Sequence, residues 1–123
     1  MNSTLIHLVD ILMREVDPDR IILFGSRARG DNEERSDYDI CVLKTGVTHR
    51  RNLAKRIYRL LYDIDVPVDI IVETPEHFDQ LKENRFLVYK EIAKNGKVIY
   101  ERQSLGKRMA QKGAQQSGKS KGR

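Results

Sequence analysis

Ile21-Ile22-Leu23-Phe24-Gly25-Ser26, followed after ten residues by Asp37-Tyr38-Asp39-Ile40-Cys41-Val42-Leu43, is the stretch that decides the architecture of this chain. A short, continuous apolar run that stops at a glycine reads as a buried strand. Ser26 to Gly30 then reads as a turn or a single helical turn, and the polar, acidic residues 31–36 as a surface loop. Tyr38 to Leu43 is a second strand, beta-branched and apolar around Asp39. All the unusual residues sit in the loop and at its two ends.

Working outward, Leu5, Leu8, Val9, Leu12 and Val16 recur at helical spacing, which predicts a helix over Thr4 to Val16 with Ser3 or Thr4 as its N-cap and a break at Pro18. Leu53, Ile57, Leu60 and Leu61 predict a second helix over Thr48 to Tyr62, with Arg and Lys opposite. Val66 to Val72 is a third strand, Pro67 standing near its start, where a missing N–H is tolerated. Pro75 opens a further helix, Phe86 to Ala93 continues as helix up to Asn95-Gly96, and Lys97 to Tyr100 is a last short strand. A helix crossing between the second and third strands places them parallel. The expected fold class is α/β: a small mixed sheet of about four strands with helices packed on at least one face.

The 123 residues fit one domain, and 39% hydrophobic content allows a modest core. No apolar run approaches the roughly 18 residues of a membrane span, and no basic segment precedes an apolar one at the N-terminus. A single cysteine, Cys41, forms no internal disulfide. These features lead to the expectation of a cytoplasmic protein with no membrane partner. The formal charge of +5 suggests nucleic acid, yet seven basic residues and no acid lie in 102–123, so residues 1–101 carry a formal −2. We therefore divide the chain into a domain over 1–101 and a basic, disordered tail over 102–123, rich in Gly, Ser, Gln and Lys. Nothing in that tail interleaves aromatic residues for base stacking, which leaves nucleic-acid binding to the tail's charge alone.

Chemistry points to the quoted stretch. A strand that ends in Gly25-Ser26 and turns into a helix start offers unobstructed backbone N–H groups, a corner suited to phosphate. Arg27 and Arg29 stand close by, and a guanidinium suits phosphate oxygens. Asp37 and Asp39, one residue apart at the start of a strand, project from the same face. Two like charges that close repel unless a cation separates them, and a hard divalent ion such as Mg2+ accepts oxygen ligands of this kind. Asp69 adds a third carboxylate in an otherwise apolar strand, Val66-Pro67-Val68-Asp69-Ile70-Ile71-Val72, where burial of an unpartnered charge costs several kcal/mol. Gly-Ser alone is a common turn, and Asp-x-Asp alone a common solvated one. In this order and on these elements the set suits metal-assisted phosphoryl or nucleotidyl transfer, with Asp37, Asp39 and Asp69 as catalytic and metal-binding residues.

At these residues the chain resembles the minimal nucleotidyltransferases of the polymerase-beta-like superfamily. Phe24-Gly25-Ser26-Arg27-Ala28-Arg29-Gly30, then Ser36-Asp37-Tyr38-Asp39-Ile40, matches that family's Gly-Ser, ten residues, Asp-x-Asp signature. The resemblance runs from about Asp19 to Tyr100. It implies Mg2+ as cofactor, ATP as substrate, Asp37 and Asp39 as the metal-binding pair, Ser26 as a phosphate contact, and Asp69 as the third carboxylate in preference to Asp63 or Asp65. Many members are antitoxins encoded beside HEPN-domain RNase toxins, so the resemblance also implies transfer of AMP to a tyrosine of such a toxin, within a hetero-oligomer. Larger relatives carry extra domains to hold their acceptor, and a protein acceptor needs none. The alternatives are a small-molecule transferase of the aminoglycoside-modifying type, and a module that masks its toxin without turnover.

The remaining candidates have plainer readings. His7, His49 and His77 show no ligand spacing, Cys41 reads as a small core residue, and Tyr38 faces the core. The Arg-rich helix reads as a solvated face.

Overall fold

The computed structural model describes residues 1–82 and 87–103, and the expectations for the tail beyond 103 lie outside the described residues. Helix α1 (Ser3–Glu15) turns Leu5, Leu8, Val9 and Leu12 inward, the face its apolar spacing predicts. Its cap is Asn2, whose side chain accepts the Leu5 N–H at 2.8 Å, so the start lies one residue earlier than the Ser and Thr candidates suggest. Strand β1 (Arg20–Phe24) runs into the one-turn helix α2 (Ser26–Arg29), closed by Gly30 in the left-handed region. Strand β2 (Tyr38–Leu43), helix α3 (Arg50–Leu60) and strand β3 (Val68–Glu73) form the crossover unit. Helices α4 (Pro75–Leu81) and α5 (Leu87–Asn95) and strand β4 (Lys97–Glu101) complete the fold.

The sheet order is β3-β2-β1-β4. β2 and β3 are parallel, as the helical crossover requires, while β1 is antiparallel to both β2 and β4. Both sheet faces are covered. On one, Ile21, Leu23, Tyr38, Ile40, Val42, Ile70 and Val72 pack with α1 and α3. On the other, Ile22, Phe24, Cys41 and Leu43 meet Phe78 of α4 and Ile92 of α5. A slip of β2 by one residue would exchange these faces and turn Asp39 towards the face packed with α1 and α3. Burying that unpaired charge would cost several kcal/mol, which fixes the register and with it the face on which Asp39 lies.

One expectation changes here. Asp69 is exposed, near the start of the edge strand β3. The buried acid of β3 is instead Glu73, 1% exposed at the strand's other end. Its carboxylate receives Arg50 Nη1 at 2.6 Å, the Tyr89 hydroxyl at 2.8 Å and the Thr74 N–H at 3.3 Å, and lies 2.7 Å from His77 Nδ1. One side chain thus ties the ends of α3, α4 and α5 to the sheet. Arg102, just past β4, is paired with Asp19 at 3.3 Å, so the chain is still held to the body at that point. Among the described residues no helix is long and apolar enough to cross a membrane.

Burial pushes the Glu73 carboxyl up, but the bonds from His77 and Tyr89, the Arg50 charge and the Thr74 N–H together outweigh it and hold the group below its usual value. A carboxyl lowered by folding stabilises the protein above its unfolded pKa and loses that contribution as pH falls through the folded value. Glu73→Gln is accordingly expected to cost about 1.5–3 kcal/mol in urea unfolding at pH 7. The difference from wild type should shrink once the pH drops below the ordinary glutamate range. A cost that stays constant with pH would contradict this account.

Candidate active site

The site forms where β1 ends and β2 begins. Phe24 pairs with Asp39 across β1 and β2, so the bend that follows Phe24 lies directly beside Asp39. Gly25 has φ 73° and ψ −157°, a backbone region open in practice to glycine alone. A Cβ there would also stand 3.0 Å from Asp39 Cγ and 3.2 Å from Asp39 Cβ, and would overlap its carboxylate oxygen. Two independent constraints therefore require glycine. The leading N–H groups of α2, from Ser26 on, have no intrahelical partner, whereas the Gly25 carbonyl is occupied by the N–H groups of Ala28 and Arg29, each at 3.1 Å.

Tyr38 sets the direction of its neighbours. Its ring is buried at 3% exposure and its hydroxyl pairs with the Asn2 side chain, the Asn2 amide donating at 2.9 Å. With Tyr38 inward, strand alternation sends Asp39 to the opposite face, while Asp37 stands just before the strand, near enough for its charge to act on Asp39. Asp69 is the register partner of Asp39 in the parallel β2–β3 ladder and so emerges on that same face from the next strand. The sequence-predicted trio is thus brought to one end of one sheet face. Its electrostatics agree: partial burial raises the Asp39 carboxyl above its usual value, the charges of Asp69 and then Asp37 raise it further, and Arg29 opposes them.

The two arginines have different surroundings. Arg27 lies on the core side, its guanidinium carbon 4.0 Å above the Tyr38 ring. It donates to the carbonyls of Ser36 and Glu34, each at 2.9 Å, and so holds the loop that delivers Asp37. Arg29 is on the acid side, bonded to Asp31 at 3.1 Å and to Glu91 of α5 at 2.9 Å. Of the two, Arg29 is the one whose charge opposes the rise of the Asp39 carboxyl. Tyr58 of α3 was not among the sequence candidates, yet its hydroxyl lies 3.5 Å from Asp69 Oδ1. No motif marks it, and only the packing of α3 against β3 brings it there.

Among the described residues no three His, Cys, Asp or Glu side chains are gathered tightly enough to hold a metal ion unaided. What the chain offers is a partial set of carboxylate oxygens beside unpaired backbone donors. That set fits magnesium, which takes one or two carboxylates together with substrate phosphates and water. The fit follows from charge as well, since a divalent cation relieves the repulsion that raises Asp39.

Residues 7–105 match the family of polymerase beta nucleotidyltransferases. A candidate protein adenylyltransferase of Methanocaldococcus jannaschii is 35% identical over 81 residues, covering 66% of this chain and 77% of that protein. A second from the same organism is 45% identical over 51 residues, 37% of this chain and about half (52%) of its own length. Among solved structures, a candidate nucleotidyltransferase from Sulfolobus solfataricus is similar with a TM-score of 0.60 at 22% identity, over 81% of this chain and 79% of that one. A toxin–antitoxin structure with AMP-PNP is similar with a TM-score of 0.56 at 21% identity, over 95% and 88%. At these structural identities the likeness speaks to the fold.

An aspartate raised by folding opposes stability when ionised, and the penalty fades as pH falls through the folded value towards the unfolded one. Asp39→Asn is therefore expected to raise Tm by a few degrees at pH 7 in EDTA, with the gain disappearing near pH 4. Mg2+ should raise the Tm of wild type more than that of the variant. Scanning calorimetry with and without the ion checks both, and a lower Tm for Asp39→Asn in EDTA contradicts the account.

Proposed function

Because this chain belongs to the polymerase beta nucleotidyltransferase family, we propose that it moves AMP from Mg-ATP to a tyrosine hydroxyl of a HEPN-type RNase toxin and thereby acts as an antitoxin. The observation that supports the reading is the Gly25-Ser26 bend against Asp39, with Asp69 as the register partner of Asp39 in the next strand and the Asp37 charge acting on the same carboxyl. The names of the Methanocaldococcus relatives support adenylylation of a protein, and the toxin–antitoxin neighbour bound to an ATP analogue supports both the nucleotide and the kind of partner.

In this reading the N–H groups of Ser26 and Arg27 and the Ser26 hydroxyl hold the triphosphate. Arg29, beside Asp39, exchanges a carboxylate partner for a phosphate oxygen when nucleotide arrives. Asp37 and Asp39 would hold Mg2+, with Asp69 as a further oxygen donor. The ion, when bound, neutralises charge on the phosphates and on the departing group. Asp69 takes the proton of the acceptor hydroxyl. The acceptor oxygen bonds to the α-phosphorus, the bond from that phosphorus to the bridging oxygen breaks, and pyrophosphate leaves. The site lies at the ends of the strands, where an acceptor can approach on its own protein surface.

The test is incubation with α-labelled ATP, Mg2+ and the product of the neighbouring gene. Wild type is expected to label that protein on tyrosine, and Asp37→Asn/Asp39→Asn to leave it unlabelled. No label with wild type, or equal label with both, removes the transfer reading. Full neutralisation of the toxin by the double variant would favour masking without turnover. Gly25→Ala, which drives a methyl group into the Asp39 carboxylate, is expected to lower the transfer rate by about 100-fold or more, measured at saturating ATP.

A further inference from the structure

We infer that Tyr58 is a positioning residue that turns the Asp69 carboxylate towards Asp37 and Asp39, an assignment that rests on the role given to Asp69 above. β3 is an edge strand, and an exposed aspartate near the end of such a strand has little to fix its side-chain torsions. Tyr58 supplies that constraint from α3. Its hydroxyl accepts the Ile70 N–H at 2.9 Å, a main-chain donor at the sheet edge. The oxygen still has a proton to place, and Asp69 Oδ1 lies 3.5 Å away to receive it. One hydroxyl therefore bridges the backbone of residue 70 and the carboxylate of residue 69.

The anchor is firm because of what lies beneath it. Ile57, the preceding residue, is wholly buried, and Leu53, Ala54 and Leu60 of α3 pack against the same core. Tyr58 itself is 43% exposed, so its ring contributes little to that core and its hydroxyl is the part with a specific task. With Oδ1 engaged by the hydroxyl, Oδ2 is the oxygen left to act at the site. A separation of 3.5 Å is long for an O–H···O bond, and such bonds in unliganded sites shorten once charge and substrate are in place. Partners that orient metal-binding carboxylates typically change metal affinity or rate by about 10- to 100-fold when removed.

A purely structural role for Tyr58, as a cap on the sheet edge, predicts something different, and Tyr58→Phe separates the two in the full chain. Binding of Mn2+ as a spectroscopic stand-in for Mg2+, with AMP-PNP present, is measured for wild type, Tyr58→Phe, Asp69→Asn and the double variant. Tyr58→Phe is expected to weaken Mn2+ by about 10-fold with circular dichroism unchanged, and to have no further effect once Asp69 is Asn. Unaltered Mn2+ affinity in Tyr58→Phe, or an equal loss in both backgrounds, overturns the assignment. In AMP transfer at saturating Mg2+, kcat of Tyr58→Phe should fall about 10-fold while KM for ATP stays the same. If wild type shows the Tyr58-dependent Mn2+ affinity but transfers no AMP, the transfer reading fails and the positioning role stands. If Tyr58→Phe transfers AMP with the wild-type kcat, the positioning role fails and the transfer reading stands.

Discussion

The Asp39 carboxylate rests against the bare Cα of Gly25, and most of what is special about this molecule follows from that contact. It needs β1 to end one residue before the bend, since Phe24 is the register partner of Asp39. It needs a residue without a side chain, in a backbone region that other residues avoid. The same glycine then lets the chain turn at once into α2, so that the carboxylate and the leading N–H groups of a helix become neighbours. Negative charge on one side and amide donors on the other create a place where a cation and a phosphate can sit together.

The loop between Ser26 and Asp37 could take many shapes, and Arg27 chooses one. Its guanidinium lies on the Tyr38 ring and gathers the carbonyls of Glu34 and Ser36, while Tyr38 is held from the other side by Asn2 at the head of α1. The residue between the two aspartates is thereby fixed to the core by both flanks. Arg29, two positions along the same short helix, points the other way and meets Asp31 and Glu91. Two arginines of similar sequence context thus have separate duties because one turn of helix places them on opposite sides of the sheet.

Strand β3 joins a costly end to a stabilising one. At Asp69 the charge is exposed and adds to the repulsion on Asp39. Four residues later Glu73 is buried, and its partners from α3, α4 and α5 outweigh the cost of removing it from water. Like charges gathered at one end are typical of sites shaped for a ligand rather than for stability. The anchored end lets the strand hold its position while the other end carries that repulsion.

Composition and pattern alone determined a good part of this. The apolar runs and their periods set the strands and helices, the helical crossover set β2 and β3 parallel, and the Gly-Ser, Asp-x-Asp spacing marked the bend and the paired acids. These are properties of neighbouring residues, and local sequence carries them. Tertiary structure decided what depends on distant partners: that β3 is an edge strand and Asp69 wet, that Glu73 is the buried acid, that Arg27 belongs to the loop and Arg29 to the acids, and that Tyr58 reaches Asp69. Each of those rests on side chains brought together across different elements, and spacing along the chain holds no record of which elements will meet.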